Sequence, residues 1–156
     1  MSPSLSLRER LTEELKAAMK AGDKAKVSAV RLIQAALKDK DIESRGAGRT
    51  QASDDEVLSL MQKMIKQRQE SAAIYAANGR PELAATENGE IAIIASFMPS
   101  QLSEDEVKAA IAAVIAETGA ASMKDMGKVV AALKARHAGQ MDFTKASGLV
   151  KSALGG

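Results

Sequence analysis

Phe97-Met98-Pro99-Ser100-Gln101-Leu102-Ser103-Glu104-Asp105-Glu106 is the stretch on which the organisation of this 156-residue chain depends. Pro99 has no amide to donate and disfavours helical geometry at the residue before it, so a helix arriving from upstream must end there. A few residues later the chain restarts. Ser103 accepts from a first-turn amide of a new helix while Glu106 reaches back to the serine amide, the reciprocal capping box. One helical region closes and another opens across 99–102, and the expected domains are 1–98 and 103–156.

Working upstream, Leu83, Ile91, Ile94 and Phe97 give a helix whose first turn accepts Pro81, where a missing amide costs nothing. Before it, Ser53-Asp54-Asp55-Glu56 is a second capping box. That box opens a long helix bearing Val57, Met61, Met64, Ile65, Ala72 and Tyr75, stopped at Asn78-Gly79. Arg45-Gly46-Ala47-Gly48-Arg49 is too rich in glycine to continue a helix and reads as a mobile connection. It follows a helix from about Asp23 to Ile42 carrying Val27, Val30, Ile33 and Leu37. The first helix has Leu7, Leu11, Leu15 and Met19 at four-residue steps and stops at Gly22.

Downstream, Val107, Ile111, Val114 and Ile115 mark a fifth helix closed by Gly119. A sixth, capped by Ser122, holds Met126, Val129, Val130 and Leu133 and ends near Gly139. The seventh starts at Asp142 and carries Phe143, Leu149, Val150 and Leu154. The expected fold is all-α: an N-terminal four-helix domain followed by a small C-terminal three-helix bundle. With so few large residues, the bundle keeps only a small surplus of burial over chain entropy.

Composition agrees. Of the 46% apolar residues nearly all are Ala, Leu, Val, Ile and eight Met, against two Phe, one Tyr and no Trp, a mixture that suits helices and not sheets. The absence of cysteine removes disulfides, thiolate metal sites and thiol nucleophiles, and fits a reducing compartment. The N-terminal residues lack the apolar centre of a secretion signal, and no run approaches the roughly 18 apolar residues of a membrane span. A cytoplasmic location without membrane association is expected.

The residues that could carry chemistry occupy positions with structural roles. Gly46-Ala47-Gly48 lacks the Lys-Ser/Thr ending of a phosphate loop and follows no strand. His137, the sole histidine, stands at the end of the sixth helix, where the negative helix end favours it as a capping residue. The clusters Asp54-Asp55-Glu56 and Glu104-Asp105-Glu106 lie in first turns, where anions complement the dipole. Arg31 and Glu90 are flanked by apolar residues and read as edge positions with packed stems, a mutual pair being the alternative. No catalytic residue, metal-ligand set or cofactor is expected.

Charge distribution carries the one functional signal, ordinary solvated lysines being the alternative reading. From Met123 onward six basic residues (Lys124, Lys128, Lys134, Arg136, Lys145 and Lys151) face only Asp125 and Asp142. The candidate nucleic-acid-binding set is Lys124, Lys128, Lys134, Arg136 and Lys145. Lys124 and Lys128, four apart, share a helix face, and phosphate contacts there would make binding salt-dependent. The shortage of aromatic rings argues against stacked bases, so RNA would be held by backbone and shape.

Four stretches together carry a family resemblance: Val30-Arg31-Leu32-Ile33-Gln34-Ala35-Ala36-Leu37-Lys38; Lys66-Gln67-Arg68-Gln69-Glu70-Ser71 with Asn78-Gly79-Arg80; Phe97 to Ser103; and Met126-Gly127-Lys128-Val129-Val130 followed by Gly139-Gln140-Met141-Asp142. In this order they resemble the GatB/YqeY family in its free-standing YqeY-like form, from about Leu7 to Leu154. The resemblance implies a helical tail module of the kind found in the B subunit of tRNA-dependent amidotransferase, where it helps engage tRNA. It also brings the label of a carbon–nitrogen ligase with glutamine as amido-N-donor, although neither the kinase-like body nor the amidase motifs of that enzyme are present. Where many relatives carry Pro and Gly, Ala135 and Phe143 stand here.

Three functions are therefore distinguished. The first is a tRNA-binding accessory module without its own active site. The second is a subunit contributing to amidotransferase activity beside other subunits. The third is a helical protein-interaction scaffold, whose sequence feature is the pair Met61 and Met64, with the core as their alternative role.

Overall fold

The computed structural model describes residues 6–155, and all regular structure among them is helical. The order is α1 (Leu7–Ala21), α2 (Lys24–Gly46), α3 (Asp54–Ala77), α4 (Pro81–Ala95), α5 (Glu104–Thr118), a 3-10 turn (Met123–Asp125), α6 (Met126–His137) and α7 (Phe143–Ala153). Cα proximity divides the chain into two compact units, Met1–Met98 and Pro99–Gly156. No helix among the described residues is long and apolar enough to cross a membrane.

Local chemistry sets the ends. Ser53 and Ser103 each accept from the amide three residues on, and Glu56 and Glu106 accept from the serine amides, so both capping boxes form. Gly22 and Gly119 end α1 and α5 in the left-handed conformation that costs glycine nothing. Pro81 is in the first turn of α4. Ser122 precedes the 3-10 turn and not the sixth helix itself: the Asp125 carboxylate accepts from the amides of Ala121 (2.9 Å) and Ser122 (3.3 Å), and α6 begins one residue later.

In the first unit, Leu11, Val30, Ile33, Val57, Met61, Ile94 and Phe97 form the buried core. Phe97 lies past the end of α4 but is still buried, under the Arg10 guanidinium 5.5 Å from its ring centre. Met61 and Met64 are both buried, which places them in the core and removes them from any adaptable outer face. Leu83, counted on the apolar stripe of α4, is exposed.

The second helix is longer than its apolar pattern suggests. Beyond Leu37 the inward stripe continues as Asp41 and Ser44, so counting apolar residues stops at Ile42, which points outward. Arg8 makes two hydrogen bonds to the Asp41 carboxylate, at 2.8 and 2.7 Å, and also donates to the Ala52 carbonyl at 3.0 Å. The Ala52 amide donates back to Asp41 at 2.9 Å. The connection at residues 47–53 is thus pinned at Ala52, which is buried, and at Arg49, whose amide bonds Ser44 O at 2.9 Å. The Arg8 guanidinium, followed by the Ala52 amide, holds the Asp41 carboxyl at about 2, below its ordinary value. Glu90 pairs with Arg68, 2.7 Å away, and not with Arg31, because the α3–α4 hairpin sets Arg68 against it while Arg31 faces outward on α2.

The second unit packs α5, α6 and α7 around Ile111, Val114, Val129, Leu133, Val150 and Met141. Residues 99–102 belong to this packing. Gln101 donates to Gly139 O at 2.6 Å, Leu102 N to Gln140 O at 2.9 Å, and Gln140 Nε2 to Ser100 O at 3.2 Å. His137 Nδ1 and Gln140 Oε1 lie 3.0 Å apart at the end of α6. Asp142 caps α7 by accepting from Thr144 and Lys145 amides.

Candidate nucleic-acid interface

Between Met126 and His137, α6 has no carboxylate, and its basic residues are set by the 100° step of the helix. Val129 and Leu133 face the core. The opposite side exposes Gly127, Lys128, Ala131, Lys134 and Ala135, with Lys124 exposed one turn earlier in the 3-10 turn. Lysines therefore edge a strip of small residues, where no long side chain keeps a polyanion at a distance.

The cations do not all point one way. Lys128 Nζ donates to the Thr118 carbonyl at the end of α5, 3.2 Å away, and so satisfies an orphan helix carbonyl. Its charge adds to the backbone bonds from Ala121 and Ser122, which come first in lowering the Asp125 carboxyl. Lys134 lies 6.0 Å from the Phe143 ring centre, a cation–π contact toward α7. Arg136 pairs with Glu117 of α5 at 2.5 Å; both side chains are about half exposed, so the pair stays open to exchange with another anion.

Lys145 lies elsewhere in the unit. It lines a cavity of about 670 Å³ together with Gln101, Leu102, Glu104 and Leu149, to which α6 contributes nothing. Lys151 is exposed in the last turn of α7. The five sequence candidates thus form one α6-centred group (Lys124, Lys128, Lys134, with Arg136 at its edge) and a separate Lys145. Two features of this unit escape a count of charges: the small residues between the lysines, whose spacing is visible in the sequence, and the clasp formed by Gln101 and Gln140.

Gly127 sharpens the reading. A methyl group there would meet nothing within 4 Å, so no internal packing requires glycine. Gly127→Ala is expected to raise the stability of this unit by about 0.5–1 kcal/mol, measured by urea unfolding, since glycine inside a helix costs that much relative to alanine. Among the described residues no group of three His, Asp or Glu side chains is placed to hold a metal ion.

The family described as "Yqey-like protein" matches residues 8–154. A relative from Saccharomyces cerevisiae (strain YJM789), "Altered inheritance of mitochondria protein 41, mitochondrial", is 36% identical over 88 residues, 56% of this chain and 46% of the relative. The protein of the same description from Vanderwaltozyma polyspora is 30% identical over 90 residues, 58% of this chain and 47% of the relative. The chain spans about half the length of these curated relatives.

Proposed function

This chain belongs to the Yqey-like protein family, and from that premise we propose that it is an RNA-engaging accessory module, for tRNA or its amidation machinery, without an active site of its own. In this reading the two compact units are separate domains, a four-helix one and a three-helix one, and the second carries the ligand. The observation that supports it is the exposed side of α6, which has no carboxylate of its own and where Lys128 and Lys134 border Gly127, Ala131 and Ala135, with Lys124 one turn earlier beside Asp125. Such a surface neutralises phosphates by charge and lets the backbone approach closely, while offering no ring on which to stack a base. A cytoplasmic location is part of the proposal; the mitochondrial location in the relatives' printed names is theirs.

The test is tRNA binding across a salt series. Affinity should fall steeply with salt, and Lys124→Glu with Lys128→Glu should weaken it roughly ten-fold or more and flatten the log–log slope by about 2, while circular dichroism is unchanged. A flat salt response, or undiminished affinity in the double variant, overturns the proposal. Amide transfer from glutamine by the chain, alone or with amidotransferase subunits, would favour the carbon–nitrogen ligase reading instead.

A further inference from the structure

Lys24, Arg31 and Lys38 stand seven residues apart on α2. Two helical turns separate successive members by about 10.5 Å with a drift of about 20°, so the three cations form one ladder along the helix. All three are exposed, and the side chain of none takes part in an ion pair or hydrogen bond among the described residues. Between Lys24 and Lys38 the helix has no carboxylate, and the remaining cation of that stretch, Lys26, is already paired with Glu14 at 2.6 Å.

Beside the ladder the surface is apolar. A groove of about 650 Å³ runs between the end of α1 and the first half of α2, with Ala18, Met19, Val27 and Leu32 as its apolar lining and, among the described residues, Lys24 and Arg31 as its charged ones. Met19 is 55% exposed and Leu32 43%. Further along α2, Ile42 is 54% exposed on the side of Lys38. Large apolar side chains left open next to unpaired cations define both halves of what would cover them. A phosphate backbone would meet the cations and leave Met19, Leu32 and Ile42 in water, whereas an apolar ridge would cover them and gain from their removal from solvent.

We propose that the α1–α2 groove docks an amphipathic helix of a partner protein, with its apolar ridge in the groove and carboxylates at seven-residue spacing opposite Lys24, Arg31 and Lys38. This is the helix-in-groove mode, with charged flanks setting register and orientation as they do in coiled coils. It is independent of the α6 surface and of the RNA proposal, since it uses the other compact unit.

A three-heptad designed peptide with a leucine ridge and glutamates at the flanking seven-residue positions serves as the probe. A sister peptide carries lysine in place of each glutamate. Fluorescence anisotropy with the full chain should show saturable binding of the acidic peptide, with the basic one weaker by roughly ten-fold or more. Lys24→Glu with Arg31→Glu should reverse that preference, Leu32→Ser should weaken both peptides, and neither change should alter tRNA affinity. The positions are exposed, and circular dichroism verifies that the variants fold. Absence of binding, equal binding of the two peptides, a preference that survives the charge reversal, or displacement of the peptide by single-stranded RNA each overturns the proposal.

Discussion

Leu133→Ala is expected to unfold the C-terminal unit while the N-terminal one stays folded. Leu133 is fully buried in α6, in one cluster with Ile111, Val114, Val129 and Val150. Truncating a buried leucine removes its transfer free energy and leaves a cavity, together costing about 2–5 kcal/mol. A unit of this size is stable by only a few kcal/mol, on the order of 0.05–0.15 kcal/mol per residue. The loss therefore consumes most of what the unit has. In a two-dimensional amide spectrum, signals from residues 99–155 should collapse toward unfolded positions while those from 6–98 keep their dispersion. tRNA binding should disappear with them. Simultaneous collapse of both sets would show that the two units fold as one, against the two-domain reading.

Asp41→Asn should be the most damaging polar substitution in the first unit. Asp41 answers Arg8 with both oxygens and the Ala52 amide with one, and the two side chains retain 13% and 25% exposure respectively. Asparagine keeps the shape but leaves the Arg8 charge without its counter-ion. The expected cost at pH 7 is about 2–3 kcal/mol, below the cost of breaking a fully buried pair because water still reaches the arginine. The pH dependence identifies the cause. The folded carboxyl titrates at about 2 against an ordinary 3.8, so its contribution is complete above pH 4 and disappears as pH falls from about 4 to 2. Urea unfolding of the parent and the variant should differ most at neutral pH and converge near pH 2. Parallel profiles would assign the loss to packing and not to the ion pair. Glu56 also titrates at about 2, first through its bond from Arg49, and it contributes to the acid sensitivity of both proteins equally.

Much of the helical architecture could be read before any coordinates. Ser53, Ser103, Gly22, Gly119 and Pro81 act on amides and torsions within a turn of themselves, so their identity suffices. The error at the end of α2 has a specific origin: Asp41 and Ser44 occupy inward positions that an apolar count passes over. The candidate site was partly legible for a similar reason. Seven-residue and four-residue spacings place residues on a face of their own helix, but they say nothing about which neighbour that face meets. Charge alone groups Lys145 with the α6 lysines, but the packing of α7 against the start of α5 sets it on a different cavity.

The helical class and most of the helix ends follow from contacts between residues a few positions apart, and the basic bias of the last helices from composition alone, so all three are legible in the chain's residues. The tertiary structure alone decided which polar groups answer one another: Arg8 with Asp41 across 33 residues, Arg68 rather than Arg31 with Glu90 across 22, Arg136 with Glu117. It also decided that Met61 is core while Met19, Leu32 and Ile42 lie open beside unpaired cations. Those outcomes depend on how far each helix is rotated about its axis when it packs, and that rotation is set jointly by all the side chains in the core.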